Sequence, residues 1–135
     1  MTSVVIDTNL FFAALRTPNN FVRDTLDRSD LRFIAPNFLV VELFKYKDEL
    51  VTKSKVTEDE VYELLSLLLH RITFINESAV SLGNIIHAFR LCSGVDEKDT
   101  PFVALALEYD AQLWTRDREL KDGLSAKGFF HFFDA

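Results

Sequence analysis

The 135-residue chain has few of the residues that interrupt or cross-link a protein, with only 4 glycines, 3 prolines and 1 cysteine. So little glycine and proline argues against a linker, a low-complexity region or a collagen-like repeat. The single cysteine, Cys92, excludes a disulfide within the chain and a thiolate metal cage. We interpret Cys92 as a small buried hydrophobe, which fits a reducing, cytoplasmic environment.

The chain also lacks an excess of positive charge and any long apolar run. Its formal net charge is −6 at pH 7, so a polyanionic partner would need local basic groups or bound cations. No apolar run approaches ~18 residues, and we therefore predict no membrane-spanning segment. The opening residues, MTSVVIDTN, do not combine a basic region with an apolar core, so they do not resemble a signal peptide.

Hydrophobic residues, by contrast, are abundant, at 48% of the chain, and 13 of them are phenylalanines. A chain of this length can bury one core, and we predict a single domain over residues 1–135. Most phenylalanines are expected in that core. The surplus predicts an apolar surface patch that binds a partner or a second copy of the chain, so we expect a homodimer.

Hydrophobic periodicity divides the chain into strands that alternate with helices. The predicted strands are Ser3–Asp7, Leu31–Ala35, Arg71–Ile75, Gln112–Thr115 and, as a last candidate, Phe129–Phe133. The predicted helices are Thr8–Leu15, Phe21–Asp30, Pro36–Leu50, Thr57–His70, Ser78–Leu91, Asp99–Tyr109 and Asp117–Gly123. This alternation predicts an α/β fold, a three-layer α/β/α sandwich with a mainly parallel central sheet.

Five carboxylates stand out against the most apolar elements: four lie at or near element ends, and Glu42 interrupts the apolar stretch Phe38–Phe44. They are Asp7, Glu42, Asp96, Asp99 and Asp117. In parallel α/β sheets ligands bind outside the carboxyl ends of the strands, so we expect these acids along one rim of the sheet. Converging carboxylates repel and raise one another's pKa, and a hard divalent cation relieves that repulsion. Because no histidine or cysteine joins the group, the pattern favours Mg²⁺ or Mn²⁺ over zinc.

Each of these acids also has an interpretation that involves no metal. Asp7, Asp99 and Asp117 precede predicted helices, and aspartate is a favoured N-cap residue. Asp96 can be a solvated loop charge, and Glu42 can pair with a lysine or arginine. The residue pattern by itself therefore leaves a metal site and a purely structural set of acids both open.

The segments SVVIDTN, VVELF and DEKDTPFVALALEYDAQLWTRDREL resemble a PIN domain in their order and spacing, and the resemblance covers nearly the whole chain. The last segment is the most specific, because it is similar to the branch written D-x-x-D-x-P-F-V-A-L-A-L…W-T-x-D. The resemblance implies a parallel-sheet α/β/α fold and a Mg²⁺- or Mn²⁺-dependent nuclease, usually acting on RNA. One departure is Asp110, where many members have glycine.

The resemblance also implies a role for each matching residue. Four residues match the family's acidic quartet, namely Asp7, Glu42, Asp99 and Asp117. Asp96 matches an extra acid of this branch. Asn9 and Thr115 match two polar positions that support the site. No acid of the quartet is missing, which favours an active enzyme. A haloacid-dehalogenase-like phosphatase is disfavoured, because such enzymes have D-x-D where this chain has DTN.

Small PIN proteins resemble the toxins of toxin–antitoxin pairs, which commonly form homodimers and are held inactive by an antitoxin. The residues are equally compatible with a standalone RNA-processing nuclease. A non-catalytic binding module stabilised by a cation is the alternative from another class.

Basic residues near the predicted rim are candidate contacts for substrate phosphates. They are Arg16, Lys45, Lys47, Lys53, Lys55, Arg116, Arg118 and Lys121. Among them we predict that Arg16, Lys45 and Arg116 bind nucleic acid, although ordinary solubilising charge is the open alternative. The three histidines share no common spacing, and we interpret them as structural.

Overall fold

A computed structural model of the chain describes residues 1–16, 21–53 and 57–134. The strands are Thr2–Ile6 (β1), Leu31–Pro36 (β2), Ile72–Ile75 (β3) and Gln112–Trp114 (β4). The helices are Thr8–Arg16 (α1), Phe21–Leu26 (α2), Phe38–Lys53 (α3), Glu58–Leu69 (α4), Leu82–Cys92 (α5), Thr100–Glu108 (α6) and Arg118–Ala126 (α7). Short 3₁₀ turns at Glu77–Ala79 and Glu97–Asp99 precede α5 and α6. The candidate phosphate contact Lys55 lies outside the described residues.

The strands form one parallel sheet in the order β3-β2-β1-β4. The chain crosses from β1 to β2 to β3 in one direction and then returns to the far side of β1, so right-handed crossovers place α1–α4 on one face and α5 and α6 on the other. The packing agrees, because α1 contacts α2, α3 and α4, whereas α6 contacts β1, β2, β4 and α5. The predicted α/β/α sandwich is confirmed, and its sheet is parallel throughout the described residues.

The central helix of the second layer, α6, is buried on every side between the sheet and α5. Its segment 102–106 is at most 3% exposed. Cys92 at the end of α5 is also fully buried, as predicted. Burial raises the pKa of its thiol to about 11, so the thiol is uncharged at neutral pH. None of the helices within the described ranges is long and apolar enough to cross a membrane.

The turn after α6 needs a left-handed residue, and Asp110 adopts that conformation with a φ of 49°. The N–H of Ala111 donates to the carbonyl of Ala106 at 2.9 Å and closes the helix end, as in a Schellman motif. Aspartate tolerates the left-handed region better than most residues. The departure from glycine at this position therefore leaves the turn intact.

Two predicted helix starts are wrong, each for a local reason. Pro36 closes β2, where it pairs with Ile75, instead of opening a helix. A strand end can accept a residue without an N–H donor. Ser81, not Ser78, caps α5 by accepting a hydrogen bond from the N–H of Asn84 at 3.4 Å. The capping predicted at Thr57 is confirmed, because its side chain accepts from the N–H of the third residue of α4.

The C-terminal segment also differs from the prediction. Helix α7 continues through Gly123, where a Cβ would lie 2.5 Å from a methyl carbon of Val95. Close packing therefore requires this glycine, which does not mark a helix end. The segment Phe129–Phe133 is not a strand, because it meets β4 only at one isolated bridge between Leu113 and Phe132. With only three residues, β4 offers little to pair with.

Candidate functional site

The carboxyl ends of β1 and β4 lie side by side, and each is followed by an acid. Ile6 pairs with Trp114 across the two strands, and the N–H of Asp7 donates to the Trp114 carbonyl at 3.4 Å. The chain continues from β1 toward β2 on one side, whereas β4 lies on the other side. Such a reversal of strand order is where open α/β sheets bind ligands. Asp7 and Asp117 both lie at this point of the sheet.

One buried hydroxyl connects these two acids. Thr115 is 2% exposed; its side chain is hydrogen-bonded to the Asp7 carboxylate, and its Oγ1 accepts from the N–H of Asp117 at 3.1 Å. Both acids also cap helices, since Asp7 Oδ1 accepts from the N–H of Leu10 at 2.9 Å and Asp117 Oδ1 from that of Leu120 at 3.1 Å. Capping uses one carboxylate oxygen of each acid, so it does not exclude a second role.

Glu42 reaches the same rim from α3. Its Oε1 accepts a hydrogen bond of 2.6 Å from Oγ1 of Thr8, a residue 34 positions away in the chain. Among the described lysines and arginines, none forms an ion pair with Glu42. The Thr8 hydroxyl holds this carboxylate against the start of α1 instead.

Helix capping does not account for the side chain of Asp99. Asp99 occupies the N-cap position of α6, but its side chain makes no capping hydrogen bond. Burial, followed by the negative charges of its neighbours, raises its pKa to about 7; in order of effect those neighbours are Asp96, Asp7, Asp117 and Glu42. Asp96 itself is more than a solvated charge, because it accepts from the N–H of Lys98 at 3.1 Å and caps the 3₁₀ turn.

Asp7 is in a similar electrostatic environment. It is only 4% exposed, and burial is the largest cause that raises its pKa. The hydrogen bonds from Thr115 and Leu10 oppose that rise, whereas the charges of Asp117 and Glu42 add to it. Negative charges from separate parts of the chain therefore act on both Asp7 and Asp99.

Most of these acids open into one cavity of about 300 Å³, which we call the acidic cavity. The predicted residues that line it are Asp7, Asn9, Arg16, Glu42, Asp96 and Asp99. Asp117 does not line it, although its charge acts on Asp7 and Asp99. Lys45 lies outside it, with its ammonium 5.2 Å from the centre of the Tyr46 ring. Arg116 and Thr115 line a neighbouring cavity.

The acidic cavity also contains polar residues that the sequence analysis did not select, namely Thr8, Tyr46, Glu49 and Lys98. Thr8 directly follows Asp7 in the DTN motif, and Lys98 lies between two predicted acids. Glu49 follows Glu42 by two helical turns and so lies on the same face of α3. These three positions were accessible to sequence reasoning through adjacency and helical spacing.

The donors in the acidic cavity suit a hard divalent cation. They are carboxylate oxygens that repel one another, and no histidine or cysteine lines the cavity. Across residues 1–16, 21–53 and 57–134, no three histidine, cysteine, aspartate or glutamate side chains stand close enough to hold one ion. A shared ion would therefore require side-chain rotations of these carboxylates.

The raised pKa of Asp99 predicts how stability depends on pH in the metal-free protein. Because the folded pKa of about 7 exceeds the ordinary 3.8, the folded state holds the proton more tightly, and stability falls as pH rises from about 4 to 7. Asp99→Asn should remove this loss. The pKa difference sets an upper limit of about 4 kcal/mol, and solvent screening reduces the expected gain at pH 8 to about 1–2 kcal/mol.

Urea unfolding at pH 8 and pH 4.5 measures this effect. Asp122→Asn, which removes the charge of an exposed acid on α7, is the matched control and should show no such pH-dependent gain. An equal or lower free energy of unfolding for Asp99→Asn at pH 8, compared with the original chain, would contradict the electrostatic picture of the site.

Comparison with known proteins adds an independent finding. A family model described as PIN domain matches residues 5–129, a range that includes both strand ends and the whole acidic cavity. No curated protein matches the chain.

Proposed function

The chain belongs to the PIN domain family, and we propose that it is a metal-dependent endoribonuclease that hydrolyses phosphodiester bonds of RNA. Proteins of this family are typically nucleases that act on nucleic acids, and they generally use divalent metal ions. One observation of this chain carries the proposal: acids from separate elements, of which Asp7 is buried and the others are partly buried, converge at the switch point of the sheet. Burial, and then the charges of these acids, raises the pKa of Asp7 and Asp99 there.

We assign four acids to hold Mg²⁺ or Mn²⁺, with Asp96 assisting them; the four are Asp7, Glu42, Asp99 and Asp117. Bound there, such an ion supplies Lewis acidity that offsets the charge developing on a phosphodiester under attack by water. The surrounding residues orient these carboxylates. The Thr115 hydroxyl bonds the Asp7 carboxylate and accepts from the backbone N–H of Asp117, and Asn9, which lines the acidic cavity, supports the site as a second polar group.

Binding of the substrate also requires basic side chains of the protein, because the acids repel a phosphodiester until a metal ion is bound. We propose that Arg16, which lines the acidic cavity, contacts the substrate there. Lys45 and Arg116 are exposed and lie outside the cavity, where they can contact phosphates farther along the strand. Burial of Asp7, which is 4% exposed, keeps bulk water away from part of the reacting centre.

An RNA cleavage assay with the purified chain tests the proposal. Cleavage in Mg²⁺ or Mn²⁺ that chelator abolishes is the expected result. The binding-module alternative predicts that the chain binds cations or RNA but cuts neither RNA nor DNA. We further propose that residues 1–135 act as one domain in the cytoplasm, where RNA is present and a free thiol such as that of Cys92 stays reduced.

We also propose that the enzyme is the toxin of a toxin–antitoxin pair, as its resemblance to such toxins suggests. A neighbouring gene for a small DNA-binding protein, together with inhibition of cleavage by its product, would support this role. Full activity that no encoded neighbour inhibits would favour a standalone RNA-processing nuclease.

The proposed enzyme forms a homodimer through an apolar stripe on α5. The stripe consists of Leu82, Ile85, Ile86 and Phe89, which are 71%, 36%, 41% and 50% exposed. Their spacing places them on one face of the helix, and a contiguous exposed patch of this kind marks an interaction site. The helix is held at both ends, because Glu108 accepts from the N–H of Ser81 at 2.6 Å and Lys127 donates to the carbonyl of Arg90 at 3.0 Å.

We expect the purified chain to scatter light with the mass of a dimer at about 50 µM, a concentration that favours even micromolar contacts. Ile86→Asp should give a monomer, since it buries a charge in the shared interface. Leu67→Asp on α4, at a residue that is 53% exposed, is the matched control and should stay dimeric. A monomeric original chain, or loss of the dimer only in Leu67→Asp, would rule out the α5 interface.

A further inference from the structure

A second cavity lies beside the acidic cavity and has the opposite charge. Its volume is also about 300 Å³. We call it the basic–aromatic pocket and define it by Phe21, Trp114, Arg116, Arg118, Lys121 and Phe133. The two cavities meet at Thr115, which lines the basic–aromatic pocket while its hydroxyl bonds the Asp7 carboxylate. Asp117 lies in the chain between Arg116 and Arg118, and consecutive Cα atoms are about 3.8 Å apart. The pocket therefore begins directly beside this acid.

Within the described residues, the cations of the pocket form no ion pair with an acid. Among the described residues, the arginine and lysine ion pairs connect Arg28 to Asp30, Lys53 to Glu49 and Arg71 to Asp27. None of the three cations of the pocket takes part in them, although the chain has 21 acidic residues and only 15 basic ones. The pocket has one carboxylate in its lining, Asp134, so a local positive charge persists within an acidic protein.

The aromatic residues of the pocket form a buried floor and an exposed wall. Trp114 and Phe133 are 4% and 7% exposed, and their rings meet edge to face with centroids 5.4 Å apart. Phe21, at the start of α2, leaves 53% of its surface exposed. The ammonium of Lys121 lies 5.8 Å from the centre of the Phe132 ring, which holds it at the side of the pocket. A ligand that carries both a flat apolar face and a negative charge suits this combination.

We propose that the basic–aromatic pocket binds one nucleotide of a single-stranded nucleic acid, next to the phosphodiester bond that the acidic cavity cuts. Its base stacks on Phe21, and its phosphate contacts Arg116 and Arg118. This inference rests on the proposed nuclease function and specifies its substrate, a strand whose bases are free to leave the stack. Stacking platforms combined with cations are the usual means of binding single strands without strong sequence preference.

The position of Phe21 explains why the substrate is single-stranded. A base inside a duplex is stacked on both faces, and only an unpaired base can present its face to a protein ring. A duplex offers phosphates to the arginines but no free base face to Phe21. The pocket therefore adds affinity for unpaired RNA, such as a loop or a strand end, and contributes less to the binding of double-stranded RNA.

The chain carries its own probe of this pocket, because Trp114 is its only tryptophan and lines the pocket. We propose to titrate the full chain, in chelator, with an RNA hexanucleotide and to follow the tryptophan fluorescence. The expected result is saturable quenching. Phe21→Ala should weaken binding by about 10-fold, in line with the loss of one stacked base. Arg116→Ala should weaken it and lower the salt slope by about one.

Matched controls separate these effects from general surface changes. Phe130→Ala removes a ring that is 72% exposed but does not line the pocket. Arg32→Ala removes an exposed cation near the amino end of β2, at the rim of the sheet opposite the strand carboxyl ends. Both should bind the hexanucleotide like the original chain. An RNA duplex of the same length should bind more weakly and should be insensitive to Phe21→Ala.

Three results would overturn the proposal. An abasic strand that binds as tightly as the hexanucleotide would show that the phosphates alone are recognised. Equal affinity of the Phe21→Ala variant would show that no base stacks there. If an acidic peptide quenches the tryptophan fluorescence as strongly as RNA does, the pocket would be assigned to a protein partner. Since Phe21 and Arg116 are exposed, both variants should fold, and circular dichroism verifies this.

Because binding is measured in chelator, this test is independent of cleavage. If the original chain cuts RNA but Phe21→Ala binds and cuts equally well, the pocket proposal fails while the nuclease proposal stands. If the hexanucleotide binds in the pocket but is not cut with any metal ion, the nuclease proposal fails and the pocket remains a nucleic-acid-binding site.

Discussion

Replacing Asp99 by asparagine is expected to reduce RNA cleavage in saturating Mg²⁺ by more than about 100-fold, since even residues behind the metal ligands contribute about 10–100-fold. The free energy of unfolding of the metal-free variant should be higher than that of the original chain at pH 8. Asp99 makes no capping hydrogen bond, and its pKa of about 7 reflects burial and neighbouring negative charges. Its carboxylate therefore makes the folded state less stable, and the proposed function of that carboxylate is to bind the ion.

Asp7→Asn should behave in the same way. An asparagine oxygen can still accept the hydrogen bond from the N–H of Leu10, so helix capping is retained. The variant removes the negative charge and leaves the shape of the buried side chain almost unchanged. Single-turnover cleavage of a labelled RNA, together with urea unfolding, measures both consequences, and Asp122→Asn serves as the control that retains full activity. A large loss of stability in both Asp7→Asn and Asp99→Asn would favour the capping interpretation of these acids.

Removing the metal should have an equally large effect. Chelator is expected to stop cleavage completely, and Mg²⁺ or Mn²⁺ should restore it, with Mn²⁺ effective at the lower concentration because it binds such sites more tightly. Ca²⁺ also binds carboxylates, but its larger size and looser coordination place the reacting groups poorly, so we expect it to inhibit. Zn²⁺ should not be specifically required, because no histidine or cysteine lines the acidic cavity.

Rates of RNA cleavage in a series of these four ions, each added to chelated and dialysed protein, measure the requirement. Cleavage that persists in chelator would contradict a metal-dependent mechanism. Restoration by Zn²⁺ alone would point to ligands other than the five acids, and Ca²⁺-supported cleavage at the rate of Mg²⁺ would contradict the geometric argument against calcium.

The arrangement of the fold was predictable because it depends on local and repeating features of the chain. Apolar strands alternating with helices require a parallel sheet, and a parallel sheet brings strand ends to one rim. Asp7 and Asp117 were therefore expected near each other from chain position alone. The left-handed conformation of Asp110 was likewise suggested by the resemblance to PIN domains, which implies that this turn position is often glycine.

Contacts between distant elements were not predictable. The bond from Thr8 to Glu42 joins residues 34 positions apart, and no periodic pattern relates one to the other. The same holds for Phe21, whose exposed ring faces a pocket formed mainly by residues 114–134. The segment Phe129–Phe133 shows the opposite error, since its apolar pattern resembles a strand, but β4 is too short to pair with it.

Mn²⁺ binding and RNA cleavage measured on the same samples of the original chain and of Asp7→Asn test the central claim most directly. The paramagnetic resonance of free Mn²⁺ gives the bound fraction, and a labelled RNA gives the rate. We predict that the original chain binds Mn²⁺ and cuts RNA, and that Asp7→Asn loses both properties together. The contradicting result has two parts: the original chain binds Mn²⁺ and Asp7→Asn abolishes this binding, but the original chain cuts no RNA or DNA. It would contradict the nuclease proposal and leave a binding module stabilised by a cation.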